Sequence, residues 1–120
     1  EQFAEVLAAD NPSPMNTLSV RGYDLAADIG RLAQAMTVAR AVKKPLFVGE
    51  FGLSGATTAE SKEKFATILV AIETNRVPLS ALWVFDFDDQ SKDWNVNATN
   101  GRSWQLEAIQ QANERMRRSR

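Results

Sequence analysis

The chain repeats one pattern three times: a short apolar run is followed by a longer segment in which apolar residues recur with helical period. The apolar runs are Leu18–Val20, Leu46–Gly52 and Leu79–Phe87, so successive runs start 28 residues (18 to 46) and 33 residues (46 to 79) apart. Short apolar runs that alternate with helical segments are typical of βα units in a parallel sheet. The sequence therefore predicts an α/β fold with parallel strands.

The repeat length distinguishes between two α/β architectures. A (β/α)8 TIM barrel of about 250 residues uses roughly 31 residues per unit, which is close to the observed spacing. A chain of 120 residues supplies fewer than half of these units. A doubly wound open sheet is the alternative, but it requires about five strands, and three are visible. We therefore predict a partial (β/α)8 barrel of about three βα units, with residues 1–120 forming a single unit.

Capping and turn residues delimit the predicted helices. The segment Gln2–Ala9 reads as the end of a helix, so the chain is expected to begin inside one. Asp24 is the predicted cap of the second helix, and Ser103 is the predicted cap of the last. The spacing of Thr57 and Glu60 predicts a capping box for the third helix. The residues expected to face the core are Leu25, Ile29, Leu32, Met36 and Ala39 in the second helix, Phe65, Ile68, Leu69 and Ile72 in the third, and Leu106, Ile109, Ala112 and Met116 in the last.

Composition restricts the chemistry that the chain can perform. It contains neither cysteine nor histidine, which excludes disulfides, thiolate and imidazole metal ligands, and histidine-based catalytic triads. Its 14 basic and 15 acidic residues give a net charge of -1, so we expect no basic face for nucleic acid. No apolar run approaches the length of a membrane span, so no membrane partner is expected. The arginines near the C-terminus are interpreted as a helix end whose dipole favours cations.

Polar residues follow the predicted strands at the edge where active sites of parallel α/β folds lie. These candidates are Arg21 and Tyr23 after the first strand, Glu50 in the second, and residues 83–89 in the third. A glutamate at the end of an apolar strand, with glycines beside it, fits a nucleophile or an acid–base group. A glutamate that ends the strand and pairs with a nearby arginine or lysine is an equal alternative.

Strict alternation predicts the orientation of the second strand. It places Glu50 on the inner face of the sheet, together with Leu46 and Val48. It leaves Phe47 and Gly49 facing the helices. In the third strand, the same rule places Trp83 and Phe85 together on one face.

The segment from Lys44 to Gly52 resembles the seventh-strand motif of glycoside hydrolase family 5, a (β/α)8 family of cellulases and mannanases, and its G-E-F-G part is the specific element. In that family the preceding strand ends in a Val-His-x-Tyr type of segment, which corresponds here to residues 20–23. The following strand carries a tryptophan at the cleavage subsite, which corresponds to Trp83. The resemblance implies that the chain is the C-terminal portion of a glycosidase TIM barrel and contributes strands six to eight.

The resemblance implies a retaining glycoside hydrolase of the endo-β-glucanase or mannanase kind. Glu50 would be the nucleophile, the hydroxyl of Tyr23 would orient it, and Trp83 would stack on the sugar ring. Arg21 stands where the family has histidine; its guanidinium donates hydrogen bonds to substrate but does not shuttle a proton. The family's acid–base glutamate belongs to a strand before residue 1, so hydrolysis is expected only when the missing N-terminal half completes the barrel.

Other residues near the predicted cleft leave alternatives open. Trp94 is either an outer sugar platform or an anchor that holds its loop to the body of the protein. Asp86, Asp88 and Asp89 are interpreted as a solvated turn, with a partner carboxylate for the nucleophile or a calcium site as the alternatives. Trp104 is expected to belong to the core or to form a hydrophobic staple at the start of the last helix.

The resemblance also implies the partners and the location of the protein. The expected ligand is a β-linked oligo- or polysaccharide, with no metal or organic cofactor because two carboxylates suffice. Such enzymes act outside the cell, in an extracellular or periplasmic location. The alternative is a non-catalytic α/β unit, either a carbohydrate-binding scaffold or a fragment that associates with itself. Self-association would cover its open strand edges and an inner face predicted to consist of Leu46, Val48, Trp83 and Phe85.

Overall fold

The computed structural model describes residues 2–23, 25–90 and 93–119, and its elements alternate between helix and strand. In chain order these are α1 (Gln2–Ala9), β1 (Leu18–Gly22), α2 (Leu25–Ala41), β2 (Leu46–Phe51), α3 (Ala59–Thr74), β3 (Leu79–Leu82), a 3₁₀ turn (Asp88–Gln90) and α4 (Trp104–Arg118). The strands form one parallel sheet in the order β1-β2-β3. The predicted α/β fold with parallel βα units is confirmed. None of the described helices is both long enough and apolar enough to cross a membrane.

One hydrophobic core joins the helices to a single face of the sheet. The strands contribute Leu18, Leu46, Val48 and Phe51, each at most 3% exposed. The helices contribute Leu7 from α1, Leu32, Ala35, Met36 and Ala39 from α2, Phe65, Ile68, Leu69, Ala71 and Ile72 from α3, and Ala112 from α4. The inward positions predicted for α3 are confirmed. The predicted cap Asp24 and the side chain of Leu25 lie outside what the structure describes.

A β-bulge in β2 determines which face Glu50 occupies. Val20 of β1 pairs with Val48, but the next residue, Arg21, pairs with Glu50. Gly49 is therefore the extra residue of the bulge. Because a bulge interrupts the alternation of side chains, Gly49 and Glu50 both lie on the face opposite the helices. We call this the open face of the sheet.

The predicted orientation of β2 is therefore wrong. Leu46 and Val48 are 1% and 3% exposed and face the helices, whereas Phe47 and Gly49 lie on the open face. Strict alternation counted back from Glu50 does not include the bulge, and the extra residue inverts the face of every position before it. The prediction of an uncovered apolar inner face that drives self-association is therefore also wrong, because the helices already cover Leu46 and Val48.

Strand β3 is shorter than predicted, since it ends at Leu82 rather than Phe87. The backbone amide of Trp83 still donates to the carbonyl of Phe51, at 2.7 Å. The chain turns at residues 83 and 84, and beyond this turn Asp86 adopts a left-handed conformation with φ of 52°. Phe85 forms only an isolated bridge with Val96, so Trp83 and Phe85 do not share one face of a strand.

The cap of α3 lies one residue after the predicted position. Thr58 Oγ1 accepts a hydrogen bond from the Ser61 amide at 3.0 Å, and Ser61 Oγ accepts one from the Thr58 amide at 2.7 Å. This is a capping box in which serine replaces the usual glutamate. Thr57 instead donates to the carbonyl of Gly101 at 2.8 Å. The predicted capping box of Thr57 and Glu60 is therefore wrong by one residue, since Thr58 and Ser61 form it.

The start of α4 also differs from the prediction. Ser103 has helical backbone angles and forms no side-chain capping bond, so its predicted role as a cap is wrong. Ala112 is buried and Ile109 packs against the core, as predicted. Trp104 packs edge-on against Phe65, with ring centroids 5.3 Å apart, which confirms the prediction that it belongs to the core.

Candidate active site

Tyr23 and Glu50 meet at the carboxyl ends of β1 and β2. The hydroxyl of Tyr23 donates a hydrogen bond to Glu50 Oε2 at 2.6 Å. Tyr23 directly follows β1, and Glu50 is the second-last residue of β2. Because parallel neighbours end at the same edge of a sheet, the two side chains converge although they are 27 residues apart. An O–H···O⁻ distance of this length is typical of a strong, charge-assisted hydrogen bond.

Arg21 contacts the other oxygen of the same carboxylate. Its Nη2 atom lies 3.3 Å from Glu50 Oε1. The Arg21 side chain is 73% exposed and that of Glu50 is 23% exposed, and ion pairs this open to solvent contribute little stability. The ion pair of the alternative interpretation is therefore present, but the tyrosine bond is the stronger constraint on how the carboxylate is oriented.

The environment keeps Tyr23 in its protonated form. Burial raises the pKa of the Tyr23 hydroxyl well above its ordinary value, and the hydrogen bond to Glu50 and the negative charge of Glu50 raise it further. The positive charge of Arg21 acts in the opposite direction. Tyr23 consequently remains a hydrogen-bond donor to Glu50 over the whole ordinary pH range.

Trp94 packs against the tyrosine of this pair. Its ring meets that of Tyr23 edge to face, with centroids 5.3 Å apart and planes at 77°. The backbone amide of Trp94 donates to the carbonyl of Gln90 at 3.1 Å, which fixes the loop that carries it. Trp94 therefore limits the movement of the Tyr23 ring, and part of its own surface remains accessible.

Trp83 lies next to the end of β2. Its indole Nε1 donates to the side-chain oxygen of Gln90 at 2.9 Å, which fixes the orientation of the ring. A Cβ atom at Gly52 would overlap the carbonyl oxygen of Trp83 and would lie 3.6 Å from the ring of Trp94. The close approach of the two backbones thus requires glycine at position 52.

Two polar residues of the loop before α4 were not predicted as parts of the site. Asn95 is 2% exposed. Its side-chain oxygen accepts a hydrogen bond from the backbone amide of Phe87 at 2.9 Å, and its backbone amide donates one to the backbone carbonyl of Gln90. Gln90 holds both Trp83 and the segment around Asn95. Because the loop is rich in Asp and Asn, sequence alone does not distinguish these hydrogen-bonded amides from solvated ones.

Arg102 is the third residue that sequence reasoning missed. It is 8% exposed, and its guanidinium donates to the carbonyls of Leu53 and Gly55, the latter at 2.5 Å. Burial lowers the pKa of Arg102, an effect that the nearby charge of Asp93 opposes. Arg102 thereby ties the start of α4 to the loop that follows Glu50.

The remaining candidates do not converge on the carboxylate. Asp86, Asp88 and Asp89 are exposed, and the described part of the chain holds no group of three carboxylates, histidines or cysteines that could bind a metal ion. The calcium alternative for these aspartates therefore finds no support. A cavity of about 490 Å³ opens on the helix side of β1, lined by Phe3, Leu7, Val20, Ile29 and Leu32 among others. Glu50 does not line it, since Glu50 lies on the open face.

Comparison with known proteins identifies no family for this chain: no family model and no curated protein matches it. The resemblance to glycoside hydrolase family 5 therefore stays a prediction. It depends on the G-E-F-G segment and on the residues that surround it.

Proposed function

We propose that the chain is the C-terminal portion of a (β/α)8 retaining glycoside hydrolase, with Glu50 as the nucleophile. Its βα units would be the sixth to eighth of the barrel. One observation carries the proposal: Tyr23 donates to Glu50 over 2.6 Å at the carboxyl ends of two adjacent parallel strands. In a closed barrel the open face becomes the interior, so the carboxylate would point into the mouth of the barrel.

The arrangement suits nucleophilic attack by a carboxylate. Tyr23 holds Oε2, and the partly exposed side chain of Glu50 leaves room for a sugar to approach. In the first step a Glu50 oxygen bonds to the anomeric carbon, the bond to the leaving oxygen breaks, and an acid from the rest of the barrel protonates that oxygen. In the second step water, deprotonated by the same group, releases the sugar and restores Glu50. The two carboxyl groups must lie roughly 5 to 5.5 Å apart.

Two tryptophans at the carboxyl-terminal edge of the sheet are suited to bind the substrate. Trp83 is held in orientation by Gln90, and a fixed indole provides a flat apolar surface for the face of a pyranose ring. Trp94 packs on Tyr23 and is the proposed outer platform, while the exposed guanidinium of Arg21 is positioned to donate to sugar hydroxyls. We infer a β-linked glucan or mannan as the substrate class and an extracellular or periplasmic location.

The proposal is tested by completing the barrel. The chain is combined with the N-terminal half of a family 5 glycosidase that is inactive alone, and hydrolysis of an aryl β-cellobioside and of soluble mannan is measured. We expect turnover only in the combined sample. Glu50→Gln should lower kcat by roughly 10⁴-fold or more, as loss of a covalent nucleophile does in other hydrolases.

A matched change separates the nucleophile from general effects of charge. Glu63→Gln removes one carboxylate from the exposed side of α3 and should leave turnover unchanged. Turnover that survives Glu50→Gln would show that another residue is the nucleophile. Absence of turnover from a sample that has assembled into a stable complex would contradict the glycosidase proposal itself.

A second candidate function is a non-catalytic scaffold that associates with copies of itself. It is favoured by Leu79, which is 59% exposed and pairs with Phe47 on the open face. In the described part of the chain, β1 and β3 also each have one unpaired edge. This candidate predicts oligomers whose stability is indifferent to Glu50→Gln.

A further inference from the structure

We propose that the end of the molecule opposite Glu50 binds an acidic polysaccharide through a row of basic side chains. The row, which we call the basic edge, consists of Arg40, Lys43, Arg76, Arg117 and Arg118, all of them exposed. The inference does not rest on the proposed glycosidase function, because the basic edge lies where the strands begin and Glu50 lies where they end.

The topology of the sheet assembles the row. A helix that follows a parallel strand runs back along the sheet, so α2, α3 and α4 all end at the edge where the strands start. Helix α3 contacts both α2 and α4. Arg115 of α4 forms two bonds with Glu73 of α3, at 2.7 and 2.9 Å, so these two helices end side by side. With neighbouring axes 8–10 Å apart, the row extends over roughly 20 Å.

The positive charge of the basic edge is largely uncompensated. Among described residues, no carboxylate forms an ion pair with any member of the row. Glu73, which lies at the same edge, is engaged by Arg115. Three exposed aspartates, Asp86, Asp88 and Asp89, lie at the other end, in the loop after β3. A net charge near zero is therefore compatible with a local excess of positive charge along the basic edge.

Two members of the row occupy backbone positions that disfavour their side chains. Lys43 has φ of 56° and Arg76 has φ of 53°, and each is the second residue after the end of a helix, a position where glycine is preferred. The helix dipole favours a cation near such an end, but an arginine in the last turn satisfies it without strain. The long basic side chains of Lys43 and Arg76 therefore stand at this edge despite the backbone preference for glycine.

The shape and composition of the basic edge favour a chain-like polyanion. The last two turns of α2, α3 and α4 carry no aromatic residue, so a nucleic acid would lack the rings on which bases stack. A flat anionic membrane would also meet the exposed carboxylate of Asp10 and the partly exposed carboxylate of Glu114, which would repel its headgroups. A polysaccharide with regularly spaced carboxylate or sulfate groups can follow the row alone. Four of its five residues are arginines, which bind such groups in bidentate fashion.

The test measures binding of fluorescent polygalacturonate and heparin to the 120-residue chain as a function of salt. The double variant Arg117→Gln/Arg118→Gln should weaken binding at low salt by roughly tenfold and reduce the slope of log Kd against log salt by about one for each arginine removed. The matched control is Lys62→Gln/Lys64→Gln, which removes two charges near the opposite end of α3 and should leave both quantities unchanged. Neutral dextran should not bind.

Three outcomes would overturn the inference. The first is that neither polysaccharide binds. The second is that both double variants lose affinity equally, since the attraction would then be unspecific. The third is that single-stranded DNA, or vesicles containing phosphatidylserine, bind more tightly than the polysaccharides at the same salt concentration. Far-ultraviolet circular dichroism of both variants establishes that the exposed substitutions leave the fold intact.

Discussion

The contact between Tyr23 and Glu50 can be followed directly in solution because Tyr23 is the single tyrosine of the chain. Absorbance of the phenolate therefore reports one residue. We expect Tyr23 in the native protein to ionise well above the ordinary tyrosine pKa, and to ionise near about 10 once the chain is unfolded in denaturant. Glu50→Gln should lower the native midpoint because it removes the adjacent negative charge and an ionic acceptor. An unshifted midpoint in the native chain would contradict the observed geometry.

The same contact makes the stability of the fold vary with pH in the alkaline range. The pKa of Tyr23 is raised on folding. The stability that results from this raised pKa is therefore fully present below pH about 10, the pKa of tyrosine in the unfolded chain, and it is lost as the pH rises above that value. The loss is at most about 1.4 kcal/mol per pH unit for one proton. The measurement is denaturant unfolding of the wild type and of Tyr23→Phe. The difference in unfolding free energy should stay constant between pH 7 and 9 and shrink above about 10; a difference independent of pH would contradict this linkage.

At the residue scale, the sequence was sufficient to name Tyr23 and Glu50 but not the residues that hold their surroundings. A glutamate that ends an apolar strand is conspicuous because burial disfavours charge. Asn95 and Arg102 were missed because their burial arises from the folding of the loop before α4 over the strand ends. Their roles depend on contacts with Phe87 and Leu53, which no local pattern in the sequence indicates.

The capping box of α3 is testable at the scale of the element. Thr58→Ala removes the side chain that accepts from the Ser61 amide and should cost about 1 kcal/mol of unfolding free energy. Thr67→Ala is the matched control, because Thr67 is exposed on the same helix and bonds only to a backbone carbonyl one turn earlier. Chemical denaturation measures both. Equal effects of the two substitutions would show that Thr58 does not act as a cap.

Elements were predicted well where hydrophobic period and turn residues agree. Helix α1 has the predicted bounds, and the buried positions of α3 follow the 3.6-residue period. The errors have physical causes. A strict two-residue alternation does not account for a bulge at Gly49, so the prediction assigned the residues of β2 to the wrong faces. Strand β3 ends early because the chain turns at residues 83 and 84, although the residues that follow Leu82 are as apolar as those of a strand.

Association of the isolated chain is testable at the scale of the whole molecule. The open face carries Leu79, which is 59% exposed, and we expect the sedimentation coefficient of the chain to rise with concentration. Leu79→Glu should suppress this rise by placing a charge on that face. Val70→Glu is the matched control, because Val70 is 57% exposed on α3. Association that is lost equally in both variants would show that copies do not meet through the open face.

The whole-molecule charge distribution shows why composition alone was insufficient. The net charge of -1 led to the expectation that there is no basic face for nucleic acid, and a net charge does not show where the charges lie. Parallel βα topology instead gathers the ends of three helices at one edge and the acidic loop after β3 at the other. The end of each helix is readable in the sequence, but their arrangement side by side depends on the order of the strands, which the structure supplies.

We propose Glu50 as the nucleophile of a retaining glycosidase. The most direct measurement is mass spectrometry of the completed barrel after reaction with a fluorinated aryl glycoside, which accumulates the glycosyl-enzyme because its breakdown is slowed. We expect the mass of one sugar on the peptide that contains Glu50, and no label in Glu50→Gln. A sample that hydrolyses substrate but carries the sugar on another residue, or on none, would contradict the claim.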